Sequence, residues 1–162
     1  ELTRICRGHP RELVTTMFDY YGLPANTPGL ESRENDIFAR ACHIEREIEK
    51  DIAADNLFVN LVVHEFEGLL FSDPAAFESI AETSVVDAIK QIRHQFASPE
   101  HINDSVETAP SKRLEKLMPR YAKVRNGLIV SRKIGLEKLM HECSHFSGWV
   151  HKIRHHSPSS SS

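Results

Sequence analysis

Three carboxylates and one imidazole stand where β-forming runs end. Asp19 closes LVTTMFD at 13–19, and His64, Glu65 and Glu67 follow LFVNLVV at 57–63. Carboxylate oxygens are the ligands that hard divalent cations such as Mg2+ require, often only one or two from the protein. A cation held in this way polarises a phosphodiester and activates water. His64 adds an acid/base group or a further ligand. Structural roles compete with each of these. An Asp after a strand bonds its own backbone in a turn, and a Glu in a first helical turn complements the helix dipole. A histidine at a strand end is equally a hydrogen-bonded structural group. If a helix begins at His64, positions 65 and 67 diverge by about 200°, so only one glutamate faces a given site.

TAPSKR at 108–113 offers the other half of a phosphate chemistry. A helix N-terminus with open N–H groups, beside Ser111, Lys112 and Arg113, suits an anion; the alternative is a capped helix with two solvated cations. Arg132 and Lys133 say less. Tyr20 and Tyr21 could stack on a base or ribose, or simply pack, and His145, Phe146 and Trp149 in HFSGW read as packing of a terminal helix. The fingerprints GxSxG, GxGxxG and GxxxxGK[ST] are absent from the sequence, which removes the motif basis for a serine hydrolase, a Rossmann fold or a P-loop.

These groups need elements to position them. ELVTTMF at 12–18, bounded by Pro10 and Gly22-Leu-Pro24, reads as a buried strand. Residues 20–32 hold two glycines and two prolines and read as a loop, of a length that is often functional. A helix is expected from Ser32 to about Ala54, with Ile37, Ala41, Ile44, Ile48 and Ile52 on one face, followed by a second strand at 57–63. Strand, helix, strand implies a parallel pair joined by a right-handed crossover, hence an α/β fold. Ligands in such sheets sit beyond the carboxyl ends of the strands, so Asp19, Glu65 and Glu67 are expected at one edge. The rest reads as helical. One helix begins in HEFEGLLF and another at Ser72-Asp73-Pro74, with an amphipathic stretch at 85–96 and a short turn at 98–103. Further helices follow in TAPSKRLEKLMPRY, at 126–141 and at 144–154. Two strands cannot cover so many helices, so more sheet-forming sequence is expected upstream of Glu1.

Composition narrows the setting. Residues 1–108 carry 9 Lys/Arg against 20 Asp/Glu, a net of −11, whereas 109–162 carry 11 against 3, a net of +8. Such an asymmetry could set carboxylates for a cation beside cations for phosphates; two docked or solvated surfaces explain it as well. Three widely spaced cysteines without metal-ligand spacing suit a reduced, cytoplasmic protein. No apolar run reaches membrane-span length, so no membrane association is expected. The expected organisation is an α/β core at 1–108, a basic helical part of the same domain at 109–154, and a disordered tail at 155–162.

VTTMFDYYGLP, VVHEFEGLLFSDP, INDSVETAPSKRLEKLMPRY and IGLEKLMHECSHFSGW, in this order over about residues 13–150, resemble the domain-of-unknown-function family 4276. That family is similar to the Toprim superfamily and to the RloB-like proteins within it. The resemblance implies a Toprim-like partial parallel sheet flanked by helices, with a mainly helical C-terminal part. It also implies Mg2+-dependent cleavage of nucleic-acid phosphodiesters alongside an ABC-type ATPase in prokaryotic defence or repair. Asp19 matches the first Asp of the Toprim DxD, and Tyr21 stands where the second would be. FEGLLF resembles the acidic strand-end segment of RloB-like proteins, which favours Glu67 over Glu65 as the second acid. The first-strand Glu of an EGxTE-like segment is not in this chain. The expectation is a nuclease in which Asp19 and Glu67, with Glu65 as a further candidate, hold the metal. His64 assists, and Ser111, Lys112 and Arg113 steady a phosphate. The alternative is a non-catalytic Toprim-like module that binds a partner ATPase or nucleic acid.

Overall fold

A computed structural model describes residues 1–103 and 108–156, and the chain divides into two compact units. One comprises Glu1–Val62 with the residues from Gly148 onward; the other is Val63–Ser147. The expected tail at 155–162 lies outside the described residues except for His155 and His156. Those two pack rather than trail: the His156 ring meets Phe58 edge-on at 5.2 Å, and His155 stacks on His151.

The first unit is α/β. After α1 (Leu2–Gly8) come β1 (Val14–Thr15) and β2 (Phe18–Asp19), then α2 (Ile37–Ile52), β3 (Leu57–Phe58) and β4 (Leu61–Val62). β1 runs parallel to β3 with Val14 opposite Leu57, and β2 runs parallel to β4 with Asp19 opposite Val62. The expected strand–helix–strand unit is therefore present, but each strand is broken into two short ladders. The threonines of VTT explain the break. Thr15 Oγ1 donates to the Phe58 carbonyl at 2.6 Å, and Thr16 Oγ1 both donates to the Asn60 carbonyl and accepts the Asn60 N–H, each at 2.9 Å. Hydroxyls thus replace main-chain rungs in the middle of the pair. Trp149 Nε1 donates to the same Thr15 Oγ1 at 2.8 Å, so a residue near the C-terminus pins the strand.

The other edge of the β3–β4 run is closed by α2. In a parallel strand alternate N–H groups point away from the partner. Here Val59 N–H donates to Glu49 at 2.9 Å and Leu61 N–H to Glu45 at 2.8 Å. Two helix carboxylates take the place of a neighbouring strand, which is how so small a sheet satisfies its inner edge. α2 buries Ala41, Ile44, Glu45 and Ile48. It begins at Ile37 rather than Ser32 because Asp36 caps it, accepting Ala39 N–H at 2.7 Å. In the preceding loop Gly29 has φ +79° and lies against α2, where a Cβ would stand 3.0 Å from Glu47.

The second unit is helical. α3 (Phe66–Leu69) gives way to a 3-10 turn at Leu70–Ser72, and Asp73 caps a further 3-10 segment, Pro74–Ser79. α4 (Thr83–His94), α5 (Pro110–Leu117), α6 (Lys123–Ile134) and α7 (Leu136–Glu142) follow, and α8 (Ser144–Arg154) starts in this unit while its residues from Gly148 onward belong to the first. The single helix expected at 126–141 is two helices, because Gly135 at φ +79° breaks the run. Leu70, Phe71, Phe77, Val86, Ile89, Ile102, Leu114 and Val130 are almost wholly buried and form the core. Buried Glu100 receives the N–H groups of His145 and Phe146 at 3.0 and 2.9 Å, holding the start of α8. All three cysteines are free thiols. Among the described residues no helix is long and apolar enough to cross a membrane.

Candidate functional site at the strand end

The segment His64–Glu67 opens the second unit with an unfavourable backbone. His64 has φ +70°, a conformation that costs a non-glycine residue about 1–3 kcal/mol and persists only where its surroundings impose it. The side chain is buried, and the Asn103 amide donates to its Nδ1 at 3.2 Å. Burial first, and then the nearby His101, pull the imidazole down to about 4, with Glu65 acting in the opposite direction. His64 is therefore a neutral ring near neutral pH. A base this weak is poorly matched to proton abstraction there.

Glu65 turns to the start of α5. Its Oε2 accepts the Ser111 N–H at 3.0 Å and its Oε1 accepts the Ser111 hydroxyl at 3.1 Å. A carboxylate at a helix N-terminus meets open N–H groups and the positive end of the dipole. Glu65 and Ser111, expected in separate metal and phosphate roles, are instead each other's partners across 46 residues of sequence. The anion for which TAPSKR looked suited is supplied by the chain itself.

The neighbouring cations are placed differently from one another. Arg113 Nε donates to the Thr108 carbonyl at 2.6 Å, and its guanidinium stands 5.3 Å from the centre of the Phe96 ring. Lys112 is exposed and pairs with Glu115 at 2.8 Å, a contact one helical turn long that holds its ammonium above the ordinary lysine range. Such an exposed pair leaves Lys112 available to another anion.

Glu67 lies in the only turn of α3 and is buried. The helix begins at Phe66 rather than His64, so Glu65 lies outside it and the divergence of about 200° expected of two positions in one helix does not apply. Glu67 acts on Tyr121, whose hydroxyl is pushed above its ordinary range by burial first, then by Glu67 and Glu115. The Tyr121 hydroxyl is buried and has no hydrogen-bond partner among the described residues.

Asp19 belongs to the first unit. It is exposed at the end of β2, opposite Val62, and a 3-10 turn at Tyr20–Gly22 follows it directly. The rings of Tyr20 and Tyr21 meet edge to face at 5.5 Å, and Tyr21 is 50% exposed. Their T-shaped contact accounts for the tyrosine pair as local packing with one open ring.

Both oxygens of Glu65 are engaged by Ser111, and among the described residues no group of three or more His, Cys, Asp or Glu is set to hold a metal ion. Sequence reasoning missed the roles of Glu45, Glu49 and Glu100, each of which receives backbone N–H groups. Their signal was weak: an isolated Glu on the apolar side of a helix or beside a proline. It also missed that α6 is apolar on two sides, because the helix was expected to start at 126 and so excluded Val124.

A family model described as Domain of unknown function (DUF4276) matches residues 1–154, nearly the whole chain. No curated protein and no solved structure matches it.

Proposed function

We propose, on the premise that the chain belongs to the DUF4276 family, that it is a Toprim-like binding subunit which carries out no phosphodiester chemistry itself. Its partner is an ABC-type ATPase, with nucleic acid engaged by the pair; both come from the resemblance to Toprim-like and RloB-like proteins. The observation that supports a binding role is the clasp between Glu65 and Ser111. The helix N-terminus that would receive a phosphate is filled from within, and a candidate metal ligand is thereby used to hold α5. The cytoplasm is the compartment we assign, and three free thiols agree with it.

A second reading, the metal-dependent nuclease, is favoured by one observation. The parallel pairing of β2 with β4 ends at Asp19, and carboxyl ends of parallel strands are where such sheets bind ligands. In that reading Asp19 and Glu67 are the essential acids, and the exposed Lys112 meets substrate phosphate. Titration with Mg2+ and Mn2+, followed by tyrosine emission, separates the two, together with a cleavage screen on single-stranded DNA, duplex DNA and mononucleotides. The binding-subunit reading expects no saturable change at millimolar metal and no cleavage. Metal-dependent cleavage that disappears in Asp19→Ala or Glu67→Gln would overturn it in favour of the nuclease.

A further inference from the structure

We infer that the outward face of α6 is a docking surface for an acidic amphipathic helix of a partner protein; the inference rests on the binding-subunit reading and names where and how the partner is held. α6 buries Gly127, Val130 and Ile134 on its inner side, which uses one apolar stripe. A second stripe is left outside: Val124 is 89% exposed, Leu128 50% and Ile129 37%. A surface helix in a self-contained domain needs only one such stripe. Large aliphatic side chains adjoining one another on the outside mark an interaction surface.

The chemistry of the occupant follows from what surrounds the stripe. Residues four apart form ridges along a helix. One ridge of α6 reads Val124, Leu128, Arg132, and the next reads Arg125, Ile129, Lys133. Each has an aliphatic centre, with Arg125 at one end of the face and Arg132 and Lys133 at the other. Arg125, Arg132 and Lys133 are exposed and in no ion pair among the described residues. No acidic residue occurs in KVRNGLIVSRKI. A second helix of three or four turns, laid along these ridges, would bury the aliphatic middle and set Glu or Asp against the cations at both ends. Nucleic acid would use the arginines, yet it gives no return for desolvating Val124 and Leu128, because its affinity comes mostly from phosphate contacts.

The test uses the full chain, labelled for amide NMR, and a synthetic peptide of about four helical turns. The peptide has leucines on one face flanked by glutamates; controls are a scrambled version and one with lysines replacing the glutamates. The expected result is saturable shifts centred on residues 123–134, weakened at least tenfold by Val124→Ser with Leu128→Ser. Arg125→Glu with Arg132→Glu should lose the acidic peptide and gain the lysine one. The assignment is overturned by equal binding of the scrambled peptide, by shifts elsewhere, or by none at millimolar peptide. It is equally overturned if duplex DNA or anionic vesicles perturb α6 while the acidic peptide does not. The same holds if Leu128→Ser abolishes self-association in sedimentation, which would make a second copy the occupant. Metal titration and cleavage assays judge the underlying reading separately: cleavage sinks that reading whatever the peptide does, whereas silent assays with an unbound peptide sink only the α6 surface.

Discussion

Replacing Glu65 by alanine distinguishes a structural carboxylate from a catalytic one. Two hydrogen bonds disappear, those from the Ser111 N–H and hydroxyl at 3.0 and 3.1 Å. Ser111 is only 1% exposed, so water does not readily replace the lost acceptor. Hydrogen bonds to a charged group contribute about 1.5–3 kcal/mol each. A carboxylate at a helix N-terminus adds about 0.3–1 kcal/mol. Glu65 is itself partly exposed, so the sum must be discounted, and we expect a loss of about 2–4 kcal/mol. For a chain of this size, about 2–4 °C in Tm accompanies each kcal/mol, giving a fall of about 4–16 °C. Ser111→Ala removes only the hydroxyl and should cost about 1 kcal/mol. The double variant should cost less than the sum of the singles, because the two residues share one contact. With two compact units, heat need not unfold the chain in a single step. Amide exchange at Ser111 and Lys112 therefore supplies the local readout, and both should exchange faster in Glu65→Ala. Carboxylates kept for function rather than folding tend to leave stability unchanged or improved when removed. A Glu65→Ala protein within about 0.5 kcal/mol of wild type, with unchanged exchange at 111 and 112, would refute the clasp.

The remaining predictions concern other single contacts. His64 should titrate near 4 by NMR; because its folded value is depressed, stability is fully present above pH 6.5 and declines as pH falls toward 4. His64→Asn should flatten that limb, whereas a measured midpoint above 6 would contradict the burial argument. Tyr121→Phe removes a buried hydroxyl without a partner and should be neutral or stabilising by up to about 1 kcal/mol; a clear loss of stability in urea would show that the hydroxyl is satisfied. Thr15→Val removes the bonds to the Phe58 carbonyl and from Trp149 Nε1. It should cost about 1–2 kcal/mol and shift the emission of the single tryptophan, with Thr15→Ser restoring both. Gly29→Ala, at φ +79° and against Glu47, should destabilise by about 1–2 kcal/mol in thermal melts.

The parallel arrangement was legible because two β-rich runs flank a helix with a clear apolar face, and topology follows from that order. The ladders' interruption was not, since it depends on which way two threonine hydroxyls turn. Periodicity also found α2 and α8 but merged α6 with α7. Gly135 inside a helical pattern is tolerated as often as it terminates one, and only its positive φ decides the matter. The way the inner edge of the second strand is satisfied was not legible either. Glu45 and Glu49 show that a helix can satisfy its N–H groups, and no local propensity encodes a contact between a helical carboxylate and a strand that follows it.

The candidate site illustrates why residue types alone give ambiguous answers. Glu65 as a metal ligand and Ser111 at an anion-binding helix start were each chemically sound, and each was weighed in isolation. Placed together they meet: the anion that the helix start attracts is Glu65, the further candidate for the metal beside Asp19 and Glu67. Acid and anion site lie 46 residues apart, a separation over which sequence offers no register between them. The same logic favours a binding role. Glu65 spends both oxygens on the start of α5, and α6 leaves Val124, Leu128 and Ile129 exposed. Those side chains contribute nothing to a phosphodiester reaction, but they are suited to covering by another protein. The docking surface we infer on α6 rests on a second apolar stripe that the chain's own packing leaves exposed.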